Sequence, residues 1–256
     1  MSDADVECNR LAAMLDVDAG ELAFLQRFST EELAKLRSAL AQATIARHRV
    51  TFERMARASG LLPGKVAARI AHDILGPEVI AHLTPFMAPE RAAEISRRLT
   101  MAFQADVATH MLPESSSELL AALDDSVRQA VTRELLRREE YAVMGTVVDY
   151  LPMPVIESLA AEIDTPWALL QVTRFVQDKS RLCGVVPRFD ESTIAQMLVL
   201  ATEHSQMAVL RSLADALDET PRRRIQARVM QSPPAVKTAW DQAGAALDVE
   251  EAAVAS

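Results

Sequence analysis

The residues best suited to chemistry are two pairs of an acid and a histidine at helical spacing. Glu78 precedes His82 by four residues, and Asp106 precedes His110 by the same interval. Side chains four residues apart share a helix face, and carboxylates and imidazoles together bind divalent metals. If the helices stack as repeats, the four groups predict a metal or small-ligand site. The alternative is that the pairs are solvated or cap-linked surface side chains, because such pairs also arise by chance.

Sequence motifs of the common enzyme classes are absent. Segment 60–66 looks like a phosphate-binding loop, but its two glycines are one residue too close, and Val66 replaces the hydroxyl residue that would hold magnesium. The sequence contains no Gly-x-Ser-x-Gly, Cys-x-x-Cys or His-Glu-x-x-His motif. We therefore expect a non-catalytic protein without a cofactor. An enzyme whose site is assembled from scattered residues stays open as an alternative.

The charge and composition favour some partners and compartments over others. The formal net charge is −9 and 4% of the residues are aromatic, so nucleic acid is disfavoured as a partner. The arginine clusters at 47–49, 137–138 and 222–224 are expected to be solvated faces. Two cysteines, Cys8 and Cys183, together with the lack of a signal peptide or a long apolar run, favour a cytoplasmic location without membrane insertion. The excess of arginine over lysine favours a bacterial origin.

The elements that must position these residues are predicted to be α-helices. Half of the residues are apolar and only seven are glycine, and Ala, Leu, Arg, Glu and Met favour helices. Two short helices are expected over 4–16 and 21–28, and segment 29–33 predicts the start of a long helix that runs to about Ala58. Thr165 and Thr220 are each expected to cap a helix that begins with proline. Further helix starts are predicted at Pro77-Glu78, Pro89-Glu90 and Pro113-Glu114.

Internal similarity predicts a helical repeat. Residues 67–70 align with 92–95, and residues 122–128 align with 216–222. The implied unit is a pair of short antiparallel helices of about 24 residues, which cannot bury its apolar face alone and must stack on its neighbours. The predicted fold class is therefore all-α, in the form of an α-α superhelix or solenoid.

Three segments are expected along the chain. Residues 1–59 form an N-terminal helical segment, and the Gly-rich and Pro-containing stretch at 60–64 separates it from a helical-repeat domain over 60–232. Pro233 and Pro234 then end the repeats. Residues 233–256 are expected to form a C-terminal capping helix followed by a frayed tail after Asp248.

Three short patterns carry a resemblance to known families. The patterns are Ala-Ala-x-Ile at 67–70, Leu-Pro-Glu at 112–114 and Leu-Leu-x-x-Leu-Asp at 119–124. Over about residues 62–232, the chain resembles the helical-repeat (armadillo-like) N-terminal domain of bacterial magnesium transporters and the middle domain of the FliG-type flagellar switch protein. The switch protein has a Glu-His-Pro-Gln motif that contacts another rotor protein. The resemblance therefore implies a protein-binding site at Glu203, His204 and Gln206, where Ser205 replaces the proline.

The sequence thus favours a non-catalytic helical-repeat module that binds a protein partner as an adaptor or scaffold. Repeat architectures present long surfaces that are used mostly for binding. The alternative is a helical domain that senses a divalent metal or a small ligand through Glu78, His82, Asp106 and His110.

Overall fold

The computed structural model describes residues 7, 8, 11, 12 and 15 and the ranges 17–112 and 117–254. Every regular element in this part of the chain is a helix, so the protein is all-α. None of these helices has both the length and the apolar character needed to cross a lipid bilayer. The α-helices are α1 Thr30–Leu61, α2 Gly64–Ile70, α3 Gly76–Leu83, α4 Pro89–Ser96, α5 Met101–His110, α6 Ser117–Ala122, α7 Asp125–Arg137, α8 Tyr141–Val148, α9 Met153–Ala160, α10 Pro166–Phe175, α11 Glu191–Glu203, α12 Met207–Ala216, α13 Glu219–Gln231 and α14 Pro234–Val254. Single 3₁₀ segments cover Ala19–Arg27, Thr84–Phe86, Lys179–Leu182 and Val186–Arg188, and a π-helical segment covers Ala71–Leu75.

Several of the predicted helix starts are confirmed. Helix α4 begins at Pro89, and α10 begins at Pro166 behind Thr165, whose side chain accepts a hydrogen bond from the Ala168 amide at 3.3 Å. Helix α1 follows Ser29, which forms a reciprocal capping box with Glu32. It ends at Leu61, three residues beyond the predicted end. The predicted start at Pro113-Glu114 and most of the predicted helix over 4–16 lie outside the described residues.

The predicted cap at Thr220 is wrong. Helix α13 begins at Glu219 and its N-cap is Asp218, so Thr220 and Pro221 lie inside the first turn. Proline is tolerated there because the first four amide groups of a helix have no intrahelical partner, and the missing N–H of Pro221 breaks no backbone bond. Pro221 is instead buried as a packing residue.

The chain divides into two compact units. Unit 1 consists of Met1–Leu62 and His82–Met87, and unit 2 consists of Pro63–Ala81 and Ala88–Ser256. The C-terminal helix α14 thus belongs to unit 2, and its residues Val236, Trp240 and Ala243 lie in the same hydrophobic cluster as α10 to α13.

Unit 1 has a small core of its own. Cys8, Leu11, Leu22, Leu25 and Leu33 pack together there and are all buried. Further along α1, the ring of Phe52 stacks on that of Phe86, with centroids 6.0 Å apart. Helix α1 therefore packs at both ends, through Leu33 and through Phe52.

Unit 2 is built mainly from contacts between helices two positions apart in the chain. Its contacts join α2 to α4 and α4 to α6; α5 to α7 and α7 to α9; α8 to α10, α10 to α12 and α12 to α14; and α11 to α13. The contact between α8 and α10 includes a close approach of the two backbones. A Cβ atom added to Gly145 would lie 2.6 Å from the Val172 carbonyl oxygen, so only glycine lets the two backbones approach this far.

Two arginines bind the free carbonyls at the ends of helices in the same way. Arg128 in the first turn of α7 and Arg222 in the first turn of α13 each donate hydrogen bonds to the carbonyls eight and five residues earlier, at the end of the preceding helix. These carbonyls have no intrahelical partner of their own. The acceptors are Leu120 and Leu123 for Arg128, and Ala214 and Leu217 for Arg222.

A glutamine repeats this arrangement. The amide of Gln104, in the first turn of α5, donates to the carbonyls of Ser96 at 2.9 Å and Leu99 at 3.1 Å, again eight and five residues earlier. Gln104 is buried, and it precedes Arg128 by 24 residues, which is the length predicted for one repeat. We call these three side chains, Gln104, Arg128 and Arg222, the corner donors.

Replacing a corner donor is expected to destabilise unit 2. Arg222→Met leaves buried carbonyls without a donor and should lower the free energy of unfolding by about 1 to 3 kcal/mol, measured by urea denaturation. Arg223→Met is the matched control, because Arg223 forms only an exposed ion pair with Glu219. The control should change stability by less than about 0.5 kcal/mol. Equal effects of the two substitutions would contradict the role assigned to Arg222.

Candidate functional site

The predicted binding residues lie at the corner between α11 and α12. Helix α11 ends at Glu203 and α12 begins at Met207. The backbone amide of Gln206 donates to the Ala201 carbonyl at 2.7 Å, and the backbone amide of Ser205 donates to the Thr202 carbonyl at 3.3 Å. This pair of bonds is a Schellman motif, which ends a helix and fixes the direction of the chain after it.

The Schellman motif requires a left-handed residue, and that residue is Ser205. Its φ angle is 56°, a conformation that glycine adopts more easily than serine. Proline could not stand here, because its ring holds φ near −65° and it has no amide to donate to Thr202. The corner therefore has a backbone that a Glu-His-Pro-Gln motif could not adopt in the same form.

Helix α10 supports the corner with two side chains. The ring of Trp167 lies against the imidazole of His204, with centroids 4.5 Å apart and an angle of 49° between the planes. The side-chain amide of Gln171 donates a hydrogen bond to the side-chain oxygen of Gln206 at 2.8 Å. Trp167 and Gln171 are four residues apart and so share one face of α10.

The three predicted binding residues are exposed to different degrees. Glu203 and His204 are exposed, whereas Gln206 is half-buried and its oxygen accepts the bond from the buried Gln171. Glu203 thus presents a carboxylate to solvent, and His204 presents an imidazole whose orientation is restricted by Trp167. Gln206 acts inside the protein, where it ties the corner to α10.

The sequence alone does not mark Trp167 and Gln171 as part of the site. The helix start at Thr165-Pro166 placed Trp167 correctly in the first turn of α10, but it gave no sign that the indole meets His204. Trp167 and His204 are 37 positions apart, and their contact depends on how α10 packs on α11 and α12. Trp167 is one of two tryptophans in the chain, which was the only available signal.

The four residues of the predicted metal site have different environments. Glu78 is exposed in the first turn of α3, and His110 is half-buried at the end of α5. His82 is buried in unit 1, where its ring lies 6.2 Å from that of Phe52. No group of three or more His, Cys, Asp or Glu side chains that could hold a metal ion occurs among the described residues.

Asp106, the fourth of these residues, forms an ion pair with Arg138. Arg138 also donates to Glu134 at 2.7 Å, and Arg137 donates to the same carboxylate at 2.7 Å. Hydrogen bonds from the two guanidinium groups hold the pKa of Glu134 at about 2, below the ordinary value of 4.5. The network links α5 to α7 and gives Asp106 a structural partner.

The arginine cluster at 222–224 also makes contacts within the chain. Arg224 donates to the Phe189 carbonyl at 2.8 Å and to the Glu191 carboxylate at 2.9 Å. Arg222 is a corner donor, and Arg223 pairs with Glu219. The cluster at 222–224 is therefore occupied by contacts with the protein itself, as is the cluster at 137–138.

No protein-family model, curated protein or solved structure matches the chain.

The Schellman geometry predicts opposite effects for two substitutions at one position. Ser205→Gly should raise the free energy of unfolding by about 0.5 to 1 kcal/mol, because glycine adopts positive φ at no steric cost. Ser205→Pro should lower it by about 3 kcal/mol, because proline cannot adopt the angle and removes a hydrogen bond. Urea denaturation of both variants tests the geometry, and a stable Ser205→Pro variant would contradict it.

The ion pairs of Glu134 predict an acid-dependent loss of stability. A carboxylate with a depressed pKa stabilises the fold above its unfolded pKa, and this contribution is lost as pH falls through the folded pKa. The stability difference between wild type and Glu134→Gln should therefore be constant above about pH 4.5 and disappear near pH 2. Urea midpoints measured across this range test it, with Glu118→Gln as an exposed control carboxylate. A difference that is independent of pH would refute the assignment.

Proposed function

We propose that unit 2 is an α-solenoid that binds a protein partner at the corner between α11 and α12. In this proposal Glu203 and His204 contact the partner, and Gln206 positions the corner. The protein then acts as a non-catalytic adaptor or scaffold.

The pattern of helix contacts supports the solenoid. In a stack of helix pairs, each helix packs on the equivalent helix of the next pair, which is two positions further along the chain. The contacts from α8 through α10 and α12 to α14, and from α5 through α7 to α9, follow this rule. The contacts of α11 with α12 and of α12 with α13 add the packing expected within and between pairs.

The corner donors support the repeat independently. Gln104, Arg128 and Arg222 bind carbonyls at the same two sequence offsets, and each lies in the first turn of its helix. Residues 122–128 and 216–222, which align in sequence, thus also share their hydrogen bonds. Such agreement between sequence and geometry is expected when segments are copies of one structural unit.

One observation carries the binding proposal: two exposed polar side chains stand on a corner whose own hydrogen bonds are already satisfied. The Schellman bonds fix the backbone, Trp167 restricts the His204 ring, and Gln171 holds Gln206. A preorganised surface loses little conformational entropy when a partner binds. The partner surface that fits this corner offers a basic side chain or amide donors to Glu203 and a polar group or a carboxylate to His204.

Affinity capture with the full chain tests the proposal. Wild type, Glu203→Ala/His204→Ala and Glu219→Ala/Arg223→Ala are used as bait against lysate of the native host, and bound proteins are identified by mass spectrometry. We expect at least one protein that binds the wild type and whose captured amount falls roughly tenfold or more with the Glu203→Ala/His204→Ala variant (the corner variant). A tenfold loss of affinity corresponds to interface contacts worth about 1.4 kcal/mol. The Glu219→Ala/Arg223→Ala control removes an exposed acid and base elsewhere in unit 2 and should retain that protein.

A second variant separates positioning from contact. Gln171→Met keeps Glu203 and His204 but removes the bond that holds Gln206, so capture should weaken less than in the double variant. If the corner variant captures the same proteins as wild type, the proposed binding site is wrong.

A further inference from the structure

The middle of helix α1 is mostly exposed. The helix has 32 residues and is therefore about 48 Å long. Residues 42–51 are all exposed except Ile45, which is half-buried. The exposed stretch over 42–51 gains little from packing. Isolated helices of about ten residues are marginal in water. The middle of α1 therefore buries less surface than the helix does around Leu33 and Phe52.

One face of this stretch is apolar with the spacing of a coiled-coil seam. Leu36, Ala39, Ala43, Ala46 and Val50 follow one another at alternating intervals of three and four residues, and all are exposed. That interval places them along one stripe of the helix. Leu36 is 39% exposed and Val50 is 58% exposed. The alanines in the middle of the stripe would let a second helix approach to about 8 Å between axes.

Three of the buried residues of α1 lie on the opposite side of the helix, and a fourth, Leu33, lies to one side of the stripe. Ala41, Phe52 and Ala56 are buried in unit 1, and at 100° per residue they point away from the stripe centred on Ala43. The helix therefore packs on its own unit through one face, and the stripe lies on a separate, exposed face.

The charged residues on this exposed face are placed so that two antiparallel copies of the face attract each other. Glu32 and Arg54 are both exposed, and each lies eleven residues from Ala43, in opposite directions along the stripe. Leu36 and Val50 are each seven residues from Ala43. A two-fold axis at Ala43 therefore brings Glu32 of one copy opposite Arg54 of the other and Leu36 opposite Val50. A parallel arrangement would place Arg54 against Arg54, which is repulsive.

From this self-complementarity we infer that two copies of the chain associate through antiparallel pairing of α1 about Ala43. The interface is isologous, so each contact occurs twice. The apolar residues supply burial, and the two Glu32–Arg54 pairs set the antiparallel direction. The inference concerns unit 1 alone and is independent of the proposed partner site in unit 2.

Sedimentation equilibrium of the full chain between about 1 and 200 μM tests the pairing. We expect a reversible monomer–dimer equilibrium in wild type. Ala43→Arg puts two like charges on the symmetry axis and should raise the dissociation constant at least roughly tenfold. Thr44→Arg adds the same charge one position away, off the stripe, and should leave the constant within about threefold of wild type.

Charge reversal tests the direction. Arg54→Glu and Glu32→Arg should each weaken the dimer about tenfold, and the double variant should restore it to within about threefold. Glu32 also caps α1, so circular dichroism must show that helix content is retained. In addition, Ala43→Cys should cross-link to itself under mild oxidation, whereas Thr44→Cys should not. A chain that is monomeric throughout the concentration range, or a dimer insensitive to Ala43→Arg and to charge reversal, overturns the inference.

Discussion

Each α-helix leaves four amide groups and four carbonyls without an intrahelical partner, whatever its length. In unit 2 this requirement is severe because its helices are short: α6 has six residues and α8 has eight. At three corners, a side chain from the first turn of one helix (Gln104, Arg128 or Arg222) binds the last carbonyls of the helix before it. Lys179, at the start of the 3₁₀ segment that follows α10, likewise donates to the Thr173 carbonyl at the end of α10. The packing of successive helices depends on these corners, because they set the angle at which each helix leaves its predecessor.

Local rules of the sequence predicted the helices well and their partners poorly. The all-α class and the starts at Ser29, Pro89 and Thr165 followed from residue preferences that act over one helical turn. The start of α13 was misplaced, because Thr220-Pro221 looked like a cap while Asp218 was an equally good candidate two residues earlier. Preferences of neighbouring residues compete, and the sequence alone does not decide between two acceptable caps.

The contacts that define the candidate site were outside the range of such rules. The alignment of 122–128 with 216–222 was visible in the sequence, but the role of Gln104 was not, because a glutamine there takes the place of an arginine. Asp106 and His110 share the spacing of a metal-binding pair, and yet Asp106 lies beside Arg138, 32 residues further along the chain. The contact between Trp167 and His204 likewise depends on tertiary packing. Spacing along a helix identifies which side chains share a face, but it does not identify what that face meets.

The short range of the helix contacts in unit 2 also bears on how the chain reaches its fold. Its main contacts join α-helices no more than three positions apart in chain order, so few long loops must close before packing begins to stabilise the structure. Helical proteins with such local contacts fold on timescales of about microseconds to milliseconds. Early segments can acquire structure while later ones are still being synthesised. Loss of α14 would then destabilise mainly α11, α12 and α13, the helices that it contacts, and would have little effect on α4 or α5.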